Sequence, residues 1–310
     1  MKKFTNTLLA LVVKGKYLLK LPTLIKAAKF GKYAITFWSM LVSMILYGWA
    51  YGSWVFGLGI VLMILIHEMG HVLAAKEKGI AVSAPMFIPF LGAFVSMKQT
   101  EDRSQQAFIA YGGPLIGSLG AVISLICTQI WPEQHMFLIL AHVGLILNLF
   151  NLLPVRPLDG GQILQVVGPW HNWVGIALFL VTCMLFKATS LLVIGVIILD
   201  DFMHPSRQRL VLKIVFGTVV LVGYWFAWAG WLSFIVDIVL ITLLVGMDFM
   251  FHRKTYATPP QDSLLKKDLR PYPSAPEVRK WVASYLVLVL ILAVAIYFTT
   301  HMIAELPLTR

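Results

Sequence analysis

Long apolar runs separated by short polar or basic stretches dominate the chain. About 20 consecutive apolar residues make a unit that crosses a bilayer as a helix. On that measure the runs Ile35–Tyr51, Trp54–Ala75, Ala107–Ile130 and Met136–Leu153 form one block of predicted spans, and Trp173–Phe186, Thr189–Met203, Leu210–Trp228, Gly230–Phe251 and Trp281–Met302 form a second. The fifth and sixth are short and read as tilted, paired or re-entrant. One apolar stretch breaks the pattern, because Ala84–Met97 is too short to span and carries Pro85, Pro89 and Gly92, which argue against a helix. It predicts a re-entrant β-hairpin or extended strand buried among the helices, since irregular backbone at membrane depth needs protein or trapped water to satisfy it. An ordinary cytoplasmic loop is the blander alternative. The fold class is therefore all-α, a polytopic membrane helix bundle of about nine spans with one short β element.

Five segments follow from the same pattern. Residues 1–33 form a basic amphipathic N-terminal segment, 34–165 a core, 166–251 additional transmembrane helices, 252–280 a cytoplasmic linker, and 281–310 a final transmembrane helix and tail. The linker reading rests on Pro259, Pro260, Pro271, Pro273 and Pro276 in a polar stretch.

Composition agrees with the bilayer. The chain of 310 residues is 59% hydrophobic and 13% charged, with a mean hydropathy of +0.83, well above the roughly 45–50% apolar share of soluble domains. A net charge of +11 could suggest nucleic acid, but the basic residues lie between the apolar runs and not on one face, so no nucleic-acid partner is expected. Basic loops stay on the cytoplasmic side. Nine spans with the N-terminus inside put the lysine-rich start, 76–103, 207–213 and 252–280 there together, as in a multi-pass protein of a prokaryotic cell membrane. Lys14, Lys16 and Lys20 follow the first apolar run where a signal peptide would show a small-residue cleavage site, so that segment is expected to remain attached. Cys127 and Cys183 have no Cys or His at ligand spacing and read as packing residues.

The chemistry-bearing signal is His67-Glu68-Met69-Gly70-His71, near the cytoplasmic end of the second span. On a helix, positions four apart share a face, so both imidazoles can reach one Zn²⁺ while Glu68 is set to take a proton from the attacking water. Three ionisable groups near the end of an apolar helix are costly without a ligand. A catalytic zinc needs a third protein ligand. The candidate is Asp159, in the Pro- and Gly-broken stretch Asn151-Leu-Leu-Pro-Val-Arg-Pro-Leu-Asp-Gly-Gly161 that closes the fourth span on the same side as His67. Glu77 and Glu101 are the nearby glutamates that a different zincin arrangement would use, but neither sits in a helical E-x-x-x-D frame.

H-E-x-x-H in a membrane helix with N-x-x-P-x-x-P-x-D-G downstream resembles the site-2 protease family, the intramembrane zinc metalloproteases of peptidase family M50. The resemblance covers about 54–165, including Pro89-Phe-Leu-Gly-Ala-Phe-Val95 and Gly112-Gly113-Pro114. It implies one zinc per chain on His67, His71 and Asp159, with Glu68 as general base and Asn151 helping to position substrate or the oxyanion. It also implies a substrate protein with a transmembrane helix, cut in or beside the bilayer. Many members carry an asparagine three residues after that proline, where this chain has Gly117. No room is evident between the motifs for a PDZ insert or after them for a CBS domain, which suits the compact branch. The alternative is a catalytically silent zinc-binding membrane scaffold or a transporter. The sequence does not specify an oligomeric state.

Other polar residues read more plainly. Asp237 in the eighth span is a candidate for gating or proton handling, or for a packing hydrogen bond. His142 reads as a satisfied core histidine, Asp200, Asp201 and His204 as an ion-paired turn, and Trp225, Trp228 and Trp231 as an interfacial belt.

Overall fold

In the computed structural model the described residues are 21–90, 92–97, 100, 102–186, 195, 210–215, 217–218, 242 and 270–306. Among them the helices are α1 (Leu21–Ala50), α2 (Trp54–Glu77), α3 (Arg103–Ile130), α4 (Met136–Asn151), α5 (Asp159–Leu164), α6 (His171–Phe186) and α7 (Ala275–Ala304). A two-stranded sheet of β1 (Met86–Ile88) and β2 (Gly92–Phe94) lies between α2 and α3 in the chain. Tyr33–Ala50, α2, α3 and α7 are long and apolar enough to cross a membrane, and α4 is a shorter apolar helix of 16 residues. The chain is an integral membrane protein. The predicted sixth to eighth spans are described only at those few positions, and Asp200, Asp201, His204, Trp225, Trp228, Trp231 and Asp237 fall outside the described residues, so the count of nine is not established.

The helix boundaries follow local chemistry that apolar runs do not report. Ser53 caps α2 by accepting from the Phe56 N–H at 3.2 Å, and the Asp102 carboxylate caps α3 by accepting from the Ser104 N–H at 2.7 Å. That second cap starts α3 at Arg103, about one turn before the expected Ala107. Gly112-Gly113-Pro114 consequently sits well inside α3. The last helix also begins early. Pro276 occupies its first turn, where a missing N–H costs nothing, and the Glu277 carboxylate accepts from both the Ser274 N–H (3.1 Å) and the Ser274 hydroxyl (2.8 Å). The end of the expected linker is thus the start of a helix. At the other end, α1 runs without a break from Leu21 through the junction expected at residue 33.

In lipid, apolar side chains gain little by leaving one apolar surface for another, so close helix packing relies on small residues. The α2–α3 crossing shows this: Gly70 and Gly112 are buried and meet backbone to backbone, with Ala74 beside them. α3 packs on α4, and α7 packs along α4 and α3. Trp281, Tyr285, Leu288 and Leu292 of α7 join Ala107, Ala121, Leu145, Leu152 and Ile163 in one buried cluster.

The expected hairpin is present. Met86 pairs with Phe94, Phe87 with Ala93 and Ile88 with Gly92, and Val82 bridges Met97. Its turn uses two positive φ angles, Phe90 at 63° and Gly92 at 105°, the second of which a side chain would make costly. α1 holds one edge. The Thr36 hydroxyl donates to the Pro85 carbonyl (2.6 Å), the Phe87 N–H donates to the Ser39 hydroxyl (3.1 Å), and the Phe90 N–H donates to the Tyr47 hydroxyl (3.1 Å). Because Phe87 directs its N–H to α1, its partner Ala93 directs its own N–H and C=O away from β1. The alternation of a strand gives Val95 the same direction. β1 is therefore the covered edge and β2 the open one.

Candidate metal centre

Two elements supply the site. His67 and His71 lie one turn apart on α2, and Asp159 is the first residue of α5. The backbone between Asn151 and Asp159 is a run of turns with a cis Arg156–Pro157 bond. α5 then returns so tightly that a Cβ on Gly160 or Gly161 would meet the backbone of Leu152 to Arg156. This fold-back carries the Asp159 carboxylate to α2.

The geometry is compact. The His67 Nε2 lies 3.1 Å from Asp159 Oδ2, the His71 Nε2 lies 3.3 Å from Asp159 Oδ1, and the two Nε2 atoms are 3.2 Å apart. All three residues are buried. The outer ring nitrogens determine what the inner ones can be. The Ile109 carbonyl can only accept, so at 2.9 Å the His71 Nδ1 must carry a hydrogen and donate it. The Asn148 NH₂ donates to the Gly144 carbonyl at 2.7 Å, which turns its Oδ1 to accept from the His67 Nδ1–H at 2.8 Å. As neutral imidazoles, both rings then point Nε2 lone pairs at each other and at a carboxylate. Asp159 Oδ2 is buried without a hydrogen-bond donor.

Three buried acceptors at this separation repel unless a cation lies among them. Bonds of about 2.0–2.1 Å at tetrahedral angles would set such donors about 3.3–3.4 Å apart, close to the distances found. The donor set, the tautomers and the orphaned oxygen all fit a metal ion. Two glycines make room for α3. A Cβ on Gly113 would fall on the His71 ring, and one on Gly117 would fall on the Asn148 amide.

A cavity of ≈ 360 Å³ opens onto these groups, within the usual range for small-ligand pockets. Glu68 and Asn151 line it beside His67, His71 and Asp159, and the hairpin supplies the facing wall with Ile88, Gly92, Ala93, Phe94 and Val95. All five residues expected from the sequence thus share one cavity. Asn151 is half-buried and its NH₂ donates to the Leu147 carbonyl at 3.0 Å. Asn148 is 1% exposed and was missed by the sequence reading; a lone amide within an apolar helix was the available signal. His142 is satisfied as expected, its Nδ1 lying 2.8 Å from the Thr299 hydroxyl of α7. Cys127 is a free thiol, partly buried.

The profile of Peptidase family M50 matches residues 55–133 and 130–173, a stretch that contains every residue of the site. Among curated proteins, the chain is 29% identical over 108 residues to a zinc metalloprotease of Methanocaldococcus jannaschii, covering 34% of this chain and 31% of that protein. It is 34% identical over 123 residues to a Synechocystis protein named provisionally as a zinc metalloprotease, covering 37% and 32%. A Mycobacterium tuberculosis protein, Rip3, named in the same provisional way, is 28% identical over 153 residues, covering 41% and 39%. The chain spans about a third of the length of the curated relatives it matches.

Proposed function

We propose that the chain, whose residues 55–173 match the profile of Peptidase family M50, is a zinc-dependent endopeptidase that hydrolyses peptide bonds in or next to transmembrane segments of other membrane proteins. The observation that carries this reading is the convergence of His67, His71 and Asp159 within 3.3 Å of one another, with Glu68 on the wall of the same cavity.

Held by those three residues, a zinc ion would supply Lewis acidity and lower the pKa of a bound water toward about 7. Glu68 is one residue from His67 and buried in the cavity wall. It accepts the proton as water attacks the scissile carbonyl, then returns it to the leaving amine. The Asn151 amide is the side chain placed to hydrogen-bond the substrate carbonyl or its developing oxyanion. Burial of the site between helices and hairpin limits bulk water.

A transmembrane helix must unwind before a peptide bond can be cut. The open edge of β2 suits the product of that unwinding, because the outward N–H and C=O groups of Ala93 and Val95 can pair with an extended segment laid along the cavity. The basic loops support a cytoplasmic position for the site. The deciding experiment measures zinc content and cleavage together on detergent-purified protein. One zinc per chain is expected in the unmodified form and in Glu68→Gln, with cleavage abolished in the latter and zinc lost in Asp159→Ala. A Glu68→Gln chain that still cuts, or supports function without cutting, would move the scaffold or transporter reading ahead.

A further inference from the structure

Asn148 is not part of either motif that marks the site, yet it makes the contact that orients one of the candidate ligands. It lies on α4, 81 residues from His67, and is 1% exposed. Its two amide groups have fixed tasks: the NH₂ is committed to the Gly144 carbonyl at 2.7 Å, and Oδ1 accepts from the His67 Nδ1–H at 2.8 Å. A buried imidazole can present either nitrogen. The oxygen of Asn148 selects the tautomer whose Nε2 lone pair faces His71 and Asp159. Its space comes from a third helix, since a Cβ at Gly117 of α3 would overlap the Asn148 amide atoms, with Cγ at 3.0 Å and Nδ2 at 2.9 Å.

We infer that Asn148 is the positioning residue for His67, and that residues 117 and 148 share one amide-sized space, so that this chain's glycine at 117 is the condition for the asparagine at 148. An asparagine side chain from 117 would enter that same space and bring its oxygen within reach of the His67 Nδ1–H. This inference rests on the zinc-site reading above.

Outer hydrogen-bond partners of metal-ligating histidines typically contribute 10–100-fold in metal affinity. The two positions predict reciprocal behaviour. Asn148→Ala should weaken zinc binding by that factor. Gly117→Asn alone should also weaken it, because two amides compete for one space. Asn148→Ala/Gly117→Asn should recover affinity to within a few-fold of the unmodified chain.

The test uses the full chain in detergent, with zinc titrated against a chromophoric chelator and the absorption spectrum of the cobalt-loaded form recorded as a second readout of ligand geometry. Recovery in the double variant, in affinity and spectrum, supports the inference, since mere loss of packing at 148 would not be repaired by a second substitution that is harmful by itself. Zinc affinity unchanged in folded Asn148→Ala, or no recovery in the double variant, would overturn it. Should Asn148→Ala not fold, the double variant decides alone: folded and zinc-binding supports, anything else overturns. The unmodified chain and Asp159→Ala serve as controls. Absence of zinc in the former, or its persistence in the latter, would indicate failure of the zinc-site reading itself.

Discussion

Gly113→Ala separates the metal centre from the helix packing that surrounds it. Gly113 lies where α3 passes the His71 ring, and an added Cβ would contact three ring atoms, the farthest of which, Cδ2, is 2.9 Å away. Carbon atoms pack comfortably at about 3.5–4.0 Å, so even that atom is at least about 0.6 Å too near, and the ring must retreat by on the order of 1 Å. Metal–ligand distances tolerate only about 0.2 Å. His71 cannot move that far and keep both its Nδ1–H bond to the Ile109 carbonyl, now 2.9 Å, and its place beside Asp159. Zinc affinity should therefore fall by more than the roughly 10–100-fold of a lost outer partner, while the helices remain assembled. Gly112→Ala provides the contrast, since its Cβ would strike the Gly70 carbonyl and the Ala74 methyl and so separate α2 from α3. Chelator competition measures the zinc, and circular dichroism with size-exclusion elution measures the fold. A Gly113→Ala chain that binds zinc as tightly as the unmodified protein would refute the placement of His71 as a ligand beneath α3.

Tyr285→Phe removes a buried donor from the Leu152 carbonyl, 2.6 Å away; it should destabilise the protein by about 1–3 kcal/mol, read as a lower melting temperature. Val95→Pro deletes an outward N–H at the open edge of β2 and should slow cleavage of a membrane substrate while zinc content is unchanged. Phe94→Pro instead removes an N–H that faces β1 and should disrupt the hairpin itself; cleavage left at the unmodified rate by both substitutions would remove the edge-pairing idea. Chelation of bound metal should lower the melting temperature, because a ligand present at about 1,000 times its Kd stabilises the folded state by about 4 kcal/mol.

What the sequence made legible was local. His67 and His71 share a helix face by spacing alone, Glu68 comes with them, and Asp159 directly follows the Pro-broken run that closes the fourth span. The hairpin was partly legible because Pro85, Pro89 and Gly92 argue against a helix, although an ordinary loop fitted them as well. Three kinds of feature were not. Caps at Asp102 and Ser274 moved helix starts outward past the apolar runs, because a cap is set by one side-chain hydrogen bond and not by hydropathy. The open edge of β2 depends on which strand α1 covers, a fact of tertiary contact. The partners of the two imidazoles, Asn148 and the Ile109 carbonyl, lie 81 and 38 residues away, and a backbone carbonyl leaves no mark in a sequence at all.

The same distinction bears on α7, which lies outside residues 55–173. By packing it belongs to the site. Tyr285 holds the carbonyl of Leu152, the residue that follows α4 and begins the turns leading to Asp159, while Thr299 meets His142 farther along α4. Arg103, at the start of α3, adds a second tie. Its guanidinium donates to the Arg270 carbonyl at 3.0 Å and the Gln165 carbonyl at 2.8 Å and lies over the Tyr272 ring, joining the approach to α7 to the segment just after α5. Asp159, the proposed carboxylate ligand, follows a run of turns, the least rigid kind of backbone, and a metal site would need it fixed within a few tenths of an ångström. α4 fixes the beginning of those turns and α5 their end, and α7 is bonded to the first and packed against both. The helix outside the matched residues thus braces the proposed third ligand, and zinc binding should be lost on its removal.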